Sequence, residues 1–209
     1  MNSNAVLFGI AGGGKGVPYG GLARGDAKGN HGYKRLKGKT ENAAKIFEVR
    51  DCPALASALL RLNSREVAFF TVGCDRGISE ISGRFSCGGY LEIAFNSIEL
   101  VANAQNYFKL FFDFHKAVIS PNFWPTGVQC IFELQGADFF DGPAPGFTLT
   151  LWIQTQPQGT AGQSMEIWDL GLRTIVEFLE PIRLAPELTP IYDPGKPVTE
   201  IPGISDEEF

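Results

Sequence analysis

Short stretches rich in Val, Ile, Phe and Thr recur along the chain, and their length and composition are typical of buried β-strands. Residues with turn propensity separate them, as in the Gly- and Ser-rich stretch 75–89, which predicts a loop or a hairpin. The predicted strands are residues 43–50, 66–74, 90–96, 128–135 and 147–155, with a further short strand at 4–10.

Between these strands, apolar residues return every three or four positions, which predicts helices over 52–62, 98–118 and 161–179. Asp51 and Ser97 precede the first two and are expected to cap them. The segment 98–118 has the clearest period, because a polar stripe lies opposite its apolar one. The apolar stripe is expected to face the core and consists of Ile98, Val101, Ala104, Phe108, Phe111, His115 and Val118.

Strands and helices alternate as β-α-β-β-α-β-β-α, with several steps short enough to be hairpins. This order predicts the α+β class, with a mixed or antiparallel sheet and helices packed on it. The folded domain is expected at 43–182, between a basic, glycine-rich arm at 1–42 and a proline-rich, acidic tail at 183–209. Both arms are expected to be flexible, since glycine-rich backbone loses much entropy on ordering and buries little surface.

Charge is distributed unevenly over the 209 residues, whose formal net charge is −5. Residues 1–50 hold nine Lys and Arg against three acids, for a net charge of +6, and the rest of the chain carries −11. An acidic body behind a basic arm indicates that the arm contacts a polyanion. The 44% apolar content is enough to form a core.

The stretch 28–39, KGNHGYKRLKGK, mixes basic residues with His31 and Tyr33. Lys and Arg neutralise phosphates, and a Tyr ring can stack on a base, so the arm is predicted to bind DNA or RNA. An acidic protein surface, including that of a second copy of the chain, is an alternative partner, and a solvated arm without a partner is another. The predicted nucleic-acid-binding residues are Lys15, Arg24, Lys28, His31, Tyr33, Lys34, Arg35, Lys37 and Lys39.

Other chemical signals are weak. Residues 9–16 spell G-x-x-x-x-G-K, but Gly16 stands where a P-loop needs Ser or Thr and no helix start follows. The four cysteines form no C-x-x-C pair, which predicts reduced thiols in a cytoplasmic protein and no metal site. No apolar run reaches the roughly 20 residues of a membrane span, and no signal peptide is predicted.

Three stretches together resemble the primase-like domains of plasmid and phage replication proteins, which belong to the archaeo-eukaryotic primase group. Residues 47–73 are similar to the strand-helix-strand opening of that family, and residues 146–157 to a strand that normally carries a His before Leu-Trp. Residues 184–197 are similar to its closing segment with a Tyr and a Pro.

The resemblance implies a pair of acidic residues holding Mg²⁺ or Mn²⁺ for phosphoryl transfer. Asp113 and His115 are the nearest candidates, with His in the second acidic position, and Thr150 replaces the strand His. Because this set of metal-site residues is incomplete, the sequence favours a non-catalytic nucleic-acid-binding or assembly protein without a cofactor. A metal-dependent phosphoryl-transfer enzyme and a structural subunit of an oligomeric complex remain the alternatives.

Overall fold

A computed structural model describes residues 6–20, 31–120, 122–139 and 144–192. Five strands form one mixed sheet in the order β1-β4-β5-β3-β2, which confirms the α+β class. β1 and β4 are parallel, and the other neighbours are antiparallel. The elements are β1 (Val6–Val17), α1 (Pro53–Leu62), β2 (Phe69–Ile81), β3 (Arg84–Phe95), α2 (Ile98–Val101), α3 (Ala104–Val118), β4 (Val128–Phe139), β5 (Ala144–Thr155) and α4 (Ala161–Leu179).

The longer helices pack on one face of the sheet, which we call the helix face. Alternate residues of β4 and β5 point towards them, so that Phe132 meets the Phe114 ring of α3 at 5.1 Å between ring centroids. Trp168 of α4 is fully buried and donates from Nε1 to the carbonyl oxygen of Ile153 at 3.2 Å. Aromatic side chains therefore fill most of this core, as the Phe-rich composition leads one to expect.

The opposite face of the sheet, which we call the open face, is covered at one end by irregular chain. Residues 31–49, the N-terminal wrap, follow this end and continue along α1 and β2. Tyr33 is buried, and its hydroxyl lies 3.0 Å from that of Tyr192. The Tyr192 ring in turn meets Phe70 of β2 edge-on, with 4.9 Å between centroids. Two segments far apart in the sequence thus complete the core together.

Lys37 anchors the wrap from inside the protein. Its side chain is fully buried, and Nζ donates to the carbonyl oxygens of Ser64 at 2.7 Å and Val67 at 2.5 Å. Burial lowers the pKa of the Lys37 ammonium to about 8, and the charge of Arg183 lowers it further. The two carbonyl groups hold this lysine in place of a carboxylate.

Two features of the wrap and of β1 differ from the sequence expectation. The strand predicted at 43–50 is wrong, because this stretch forms two 3₁₀ turns, Thr40–Lys45 and Phe47–Val49. Ala43, Ile46 and Val49 all pack on the core, and their spacing of three is the period of a 3₁₀ helix. The arm expected at 1–42 also contains β1 and the buried part of the wrap, so its described residues belong to the domain.

Helices α1 and α4 and the hairpin alternative for 75–89 are confirmed, with β2 and β3 turning at Ser82 and Gly83, both of positive φ. Ser97 accepts from the backbone N–H of Leu100 and so caps α2.

The expected burial of His115 is wrong. The fully buried residues of α3 are Tyr107, Leu110 and Phe114, and His115 lies outside this stripe and is exposed. Within the described chain, no helix combines the length and apolar character required to cross a bilayer.

Lys37 generates a prediction for stability against pH. Its folded-state pKa lies below the unfolded value of 10.5, so the unfolded state binds more protons between about pH 8 and pH 10.5, and stability rises with pH there. Relative to Lys37→Met, the parent protein should gain about 1 kcal/mol of unfolding free energy from about pH 7 to about pH 9. Urea titrations followed by tryptophan fluorescence measure this difference.

Lys116→Met is the matched control, because the Lys116 side chain is 77% exposed. The difference between the parent and this control should stay constant over the same pH range. If the difference in unfolding free energy between the parent and Lys37→Met were constant as well, it would contradict a buried Lys37 ammonium with a lowered pKa.

Candidate functional site

A row of apolar and aromatic side chains crosses the open face from one edge of the sheet towards the other. Leu7 of β1 is paired with Ile131 of β4, Ile131 with Trp152 of β5, and Trp152 with Tyr90 of β3. Residues paired across neighbouring strands share a face of the sheet, so these four form one continuous strip, the aromatic row.

The aromatic row is accessible to solvent. Leu7, Ile131 and Trp152 are 54%, 39% and 41% exposed, and Tyr90 is half-buried. The rings of Tyr90 and Trp152 lie 4.9 Å apart at their centroids with a 52° tilt. Trp152 also donates from Nε1 to the Glu133 carboxylate at 2.9 Å, which holds the indole in place. A fixed, exposed pair of large rings is a surface on which a planar ligand can stack.

A cavity of about 590 Å³ begins where the aromatic row ends, between the N-terminal wrap and β2. Tyr90 lines it and so belongs to both features. Tyr19 and Phe47 contribute further rings to its lining. A volume of this size accommodates a small organic ligand or one nucleotide.

Basic groups from the wrap line the cavity without partners. The side chains of Lys34 and Lys45 form no ion pair or hydrogen bond with another described residue. His31 stacks on Phe47 with 5.1 Å between ring centroids, and its Nε2 is buried and has no partner among the described residues. Three side chains that can donate hydrogen bonds thus belong to the lining of one cavity and have no acceptor among the described residues.

Arg76 also lines the cavity, but its charge is already engaged. Its guanidinium lies 3.3 Å from the Asp169 carboxylate and donates to the Asp51 carbonyl oxygen at 3.0 Å. Glu48, Asp51 and Asp75 place carboxylates in the same lining. The cavity therefore presents charges of both signs, and a ligand that fits it needs both acceptor and donor groups.

The remaining polar groups of the cavity stay neutral near neutral pH. Burial raises the pKa of Tyr90 to about 12, and the carboxylate of Glu92 adds to the effect. Burial also raises the pKa of the Tyr19 hydroxyl and of the Cys74 thiol well above their usual values. Cys74 is therefore not an activated thiolate, and the tyrosines can act as hydrogen-bond donors.

Behind the cavity, Lys15 of β1 forms an ion pair with Glu92 of β3. Only 5% of the Glu92 side chain is exposed, and 25% of that of Lys15. β1 reaches this position through a bulge between Ile10 and Gly14, where Gly13 has a φ of +84°. At Gly73 a β-carbon would lie 3.2 Å from the Tyr19 hydroxyl oxygen, so glycine allows this close packing.

The nine nucleic-acid-binding residues predicted from sequence fall into five groups. His31 and Lys34 line the cavity, whereas Lys15 is paired with Glu92. Tyr33, Arg35 and Lys37 are buried and hold the wrap, Arg35 by donating to the Lys37 carbonyl oxygen. Lys39 is half-buried where the first 3₁₀ turn begins. Arg24 and Lys28 lie outside the described residues.

Asp113 and His115 lie on α3, away from the open face. Asp113 contacts Lys109 at 2.5 Å and Lys116 at 3.7 Å, and the hydrogen bond from Lys109 lowers the pKa of its carboxyl. His115 is exposed two positions further on, where a helix directs its side chain elsewhere. In the described part of the chain, no group of three His, Cys, Asp or Glu side chains is arranged to hold a metal ion.

Thr150, which replaces the strand His of the primase-like domains, lies on the open face between two acidic residues. It is paired with Glu92 on one side and with Glu133 on the other. Lys15 contacts Glu92, and Trp152 contacts Glu133, so protein groups already occupy both carboxylates.

Sequence reasoning missed Trp152, Tyr90, Lys45 and Ile131. The signal for Trp152 is the alternation in β5, where it is flanked by Leu151 and Ile153, both fully inward, so that the largest side chain must point outwards. No comparable signal marks Lys45, whose role depends on the fold of the wrap.

No family model matches the chain, and neither the curated proteins nor the solved structures compared with it include a match. The site must therefore be interpreted from its own geometry.

The Lys15–Glu92 ion pair leads to a prediction about the stability of the fold around the site. Lys15→Met leaves a buried carboxylate without its partner, and we expect the unfolding free energy to fall by about 2 kcal/mol. The double variant Lys15→Met/Glu92→Gln should recover most of this loss, because no unpaired charge remains.

Denaturant unfolding of the four members of this cycle measures the coupling between the two residues. Lys109→Met, at an exposed ion pair on α3, is the control and should change stability by less than about 1 kcal/mol. Additive effects of the two substitutions would contradict a coupled ion pair.

Proposed function

We propose that this protein binds single-stranded nucleic acid on the open face of its sheet without catalysing a reaction. The observation that carries the proposal is the aromatic row, in which the exposed Trp152 ring adjoins Tyr90. Bases of a single strand are free to stack on such rings, and each stacked base contributes about 1–3 kcal/mol. Bases in a duplex are paired and stacked on each other, so the row should discriminate against double strands.

The cavity supports the proposal because it supplies basic groups at the end of the row. Lys34 and Lys45 are available for phosphate oxygens, and the phosphate backbone can follow the wrap. The number of such groups is small, and Arg76 is already paired with Asp169. Stacking should therefore supply more of the affinity than charge does.

This proposal changes the role of the N-terminal residues. If an N-terminal arm bound nucleic acid by charge alone, its deletion would leave the fold intact, and the affinity would fall steeply as salt is added. β1, Tyr33 and Lys37 are instead parts of the sheet and core, so deletion of residues 1–40 should unfold the domain. Two or three phosphate contacts give a slope of log affinity against log salt of about −2.

Self-assembly is a second candidate function, and the β1 edge of the sheet favours it. β1 is an edge strand without a charged side chain over residues 6–14, and Leu7 and Ile10 are 54% and 72% exposed. The opposite edge, β2, carries Asp75, Arg76 and Glu80, charges of the kind that protect edges from unwanted pairing. A strand of a second copy could pair with β1 without bringing like charges together.

Trp152→Ala tests the proposed function. It removes the central ring of the row at an exposed position, so the fold should persist while affinity for a short oligodeoxythymidine falls about tenfold or more. Fluorescence anisotropy with the labelled strand measures the affinity, and the same sequence as a duplex should bind more weakly.

Phe112→Ala is the matched control, since Phe112 is 58% exposed and lies on α3 in the helix layer. It should leave the affinity unchanged. Equal affinities for the Trp152 and Phe112 variants, or a preference for the duplex, would contradict binding on the aromatic row.

Ile10→Lys tests the assembly candidate. If β1 pairs between copies, multi-angle light scattering should show a dimer that grows with protein concentration, and the added lysine should return it to monomer. Ile119→Lys is the control, because Ile119 at the end of α3 is also 72% exposed. A parent protein that stays monomeric at high concentration would exclude this candidate.

A further inference from the structure

We infer that the cavity receives the end of a nucleic-acid strand, as a terminal nucleotide carrying a phosphomonoester. This inference rests on the proposed function, and it adds the chemical group recognised at one part of the site. It follows from three side chains in the lining of one cavity that have no acceptor among the described residues: Lys34, Lys45 and His31, whose Nε2 is buried.

A phosphomonoester fits these donors better than an internal phosphodiester does. A monoester has three unesterified oxygens and a charge of about −1.5 to −2 near neutral pH, whereas a diester has two such oxygens and one charge. The two lysine ammonium groups match the larger charge, and the lysines and the imidazole together match the larger number of acceptors.

The other groups of the cavity suit the sugar and base of the same nucleotide. Tyr19 and Tyr90 offer rings and hydroxyl groups, and Glu48 lies close enough to both to influence their ionisation. The carboxylate of Glu48 can accept hydrogen bonds from an exocyclic amino group or a sugar hydroxyl. These groups explain why a cavity that binds phosphate also contains acids.

The position of the cavity indicates a strand end. Tyr90 belongs to the cavity and to the aromatic row, so a nucleotide in the cavity adjoins a base stacked on Trp152. Towards the other side, the wrap and Leu59 of α1 contribute to the lining. The aromatic row therefore leads the strand to the cavity, and the wrap and α1 border the last nucleotide and its phosphate beyond it.

Three short oligodeoxythymidines of one length distinguish the possibilities: one with a 5′-phosphate, one with a 3′-phosphate and one with hydroxyl groups at both ends. Competition anisotropy should show one phosphorylated strand binding about tenfold more tightly than the hydroxyl-ended strand. Lys34→Met and Lys45→Met should each reduce this advantage severalfold, in excess of any weakening of the hydroxyl-ended strand, whose backbone phosphates the same lysines can contact.

His31 is tested by a pair of variants. His31→Leu removes the donor and should reduce the advantage of the phosphorylated strand, whereas His31→Gln keeps an N–H donor and should retain part of it. Lys116→Met, at an exposed position on α3, should retain all of it.

The outcomes separate this inference from the proposed function. If all three strands bind equally and Trp152→Ala still weakens them, the terminal-phosphate site is wrong and the stacking surface stands. If none of the strands binds, both are wrong. If a terminal phosphate strengthens binding but Lys34→Met and Lys45→Met do not reduce the effect, the phosphate is recognised elsewhere and the cavity assignment fails.

Discussion

The arrangement of this protein depends on one constraint: its sheet has two faces to cover, and the long helices pack on one of them. The end of the open face that carries Phe70 and Phe139, both fully buried, must be covered by other parts of the chain. Tyr33 of the wrap and Tyr192 near the end of the described chain provide that cover and are joined through their hydroxyl groups. The rest of the open face carries the aromatic row and remains accessible.

Coverage by irregular chain accounts for the polar character of the cavity. Helices satisfy their own backbone groups and can pack closely on a sheet, whereas a wrap with short 3₁₀ turns must find partners for its backbone and leaves gaps. Lys37 crosses such a gap to reach the carbonyl groups of Ser64 and Val67. His31, Lys34 and Lys45 line a larger gap and find no such partners among the described residues. The same segment thus provides one lysine with a structural role and three further side chains that have no partner among the described residues.

Much of the fold is predictable from sequence, because helices α1 and α4 and strands β4 and β5 each have a strong local period. The wrap is less predictable, since β-branched residues such as Ile46 and Val49 favour a strand by composition, whereas the spacing of Ala43, Ile46 and Val49 is that of a 3₁₀ helix. Of the residues predicted to bind nucleic acid, His31 and Lys34 line the cavity, and their role stays a prediction. Their neighbours Arg35 and Lys37 are also basic but are buried, and only tertiary packing distinguishes them.

The net charge of −5 places a limit on how this protein can bind a polyanion. At physiological ionic strength charges act over a Debye length of roughly 8 Å, so the proposed binding would depend on the lysines and carboxylates of the cavity itself, while the acidic body would repel phosphates elsewhere. A long duplex would approach both regions, but a single strand can keep its phosphates near the lysines and its bases on Trp152. Added salt would then screen repulsion as well as attraction. A shallow salt dependence follows from the distribution of charge, and a strand end satisfies this geometry better than a continuous strand does.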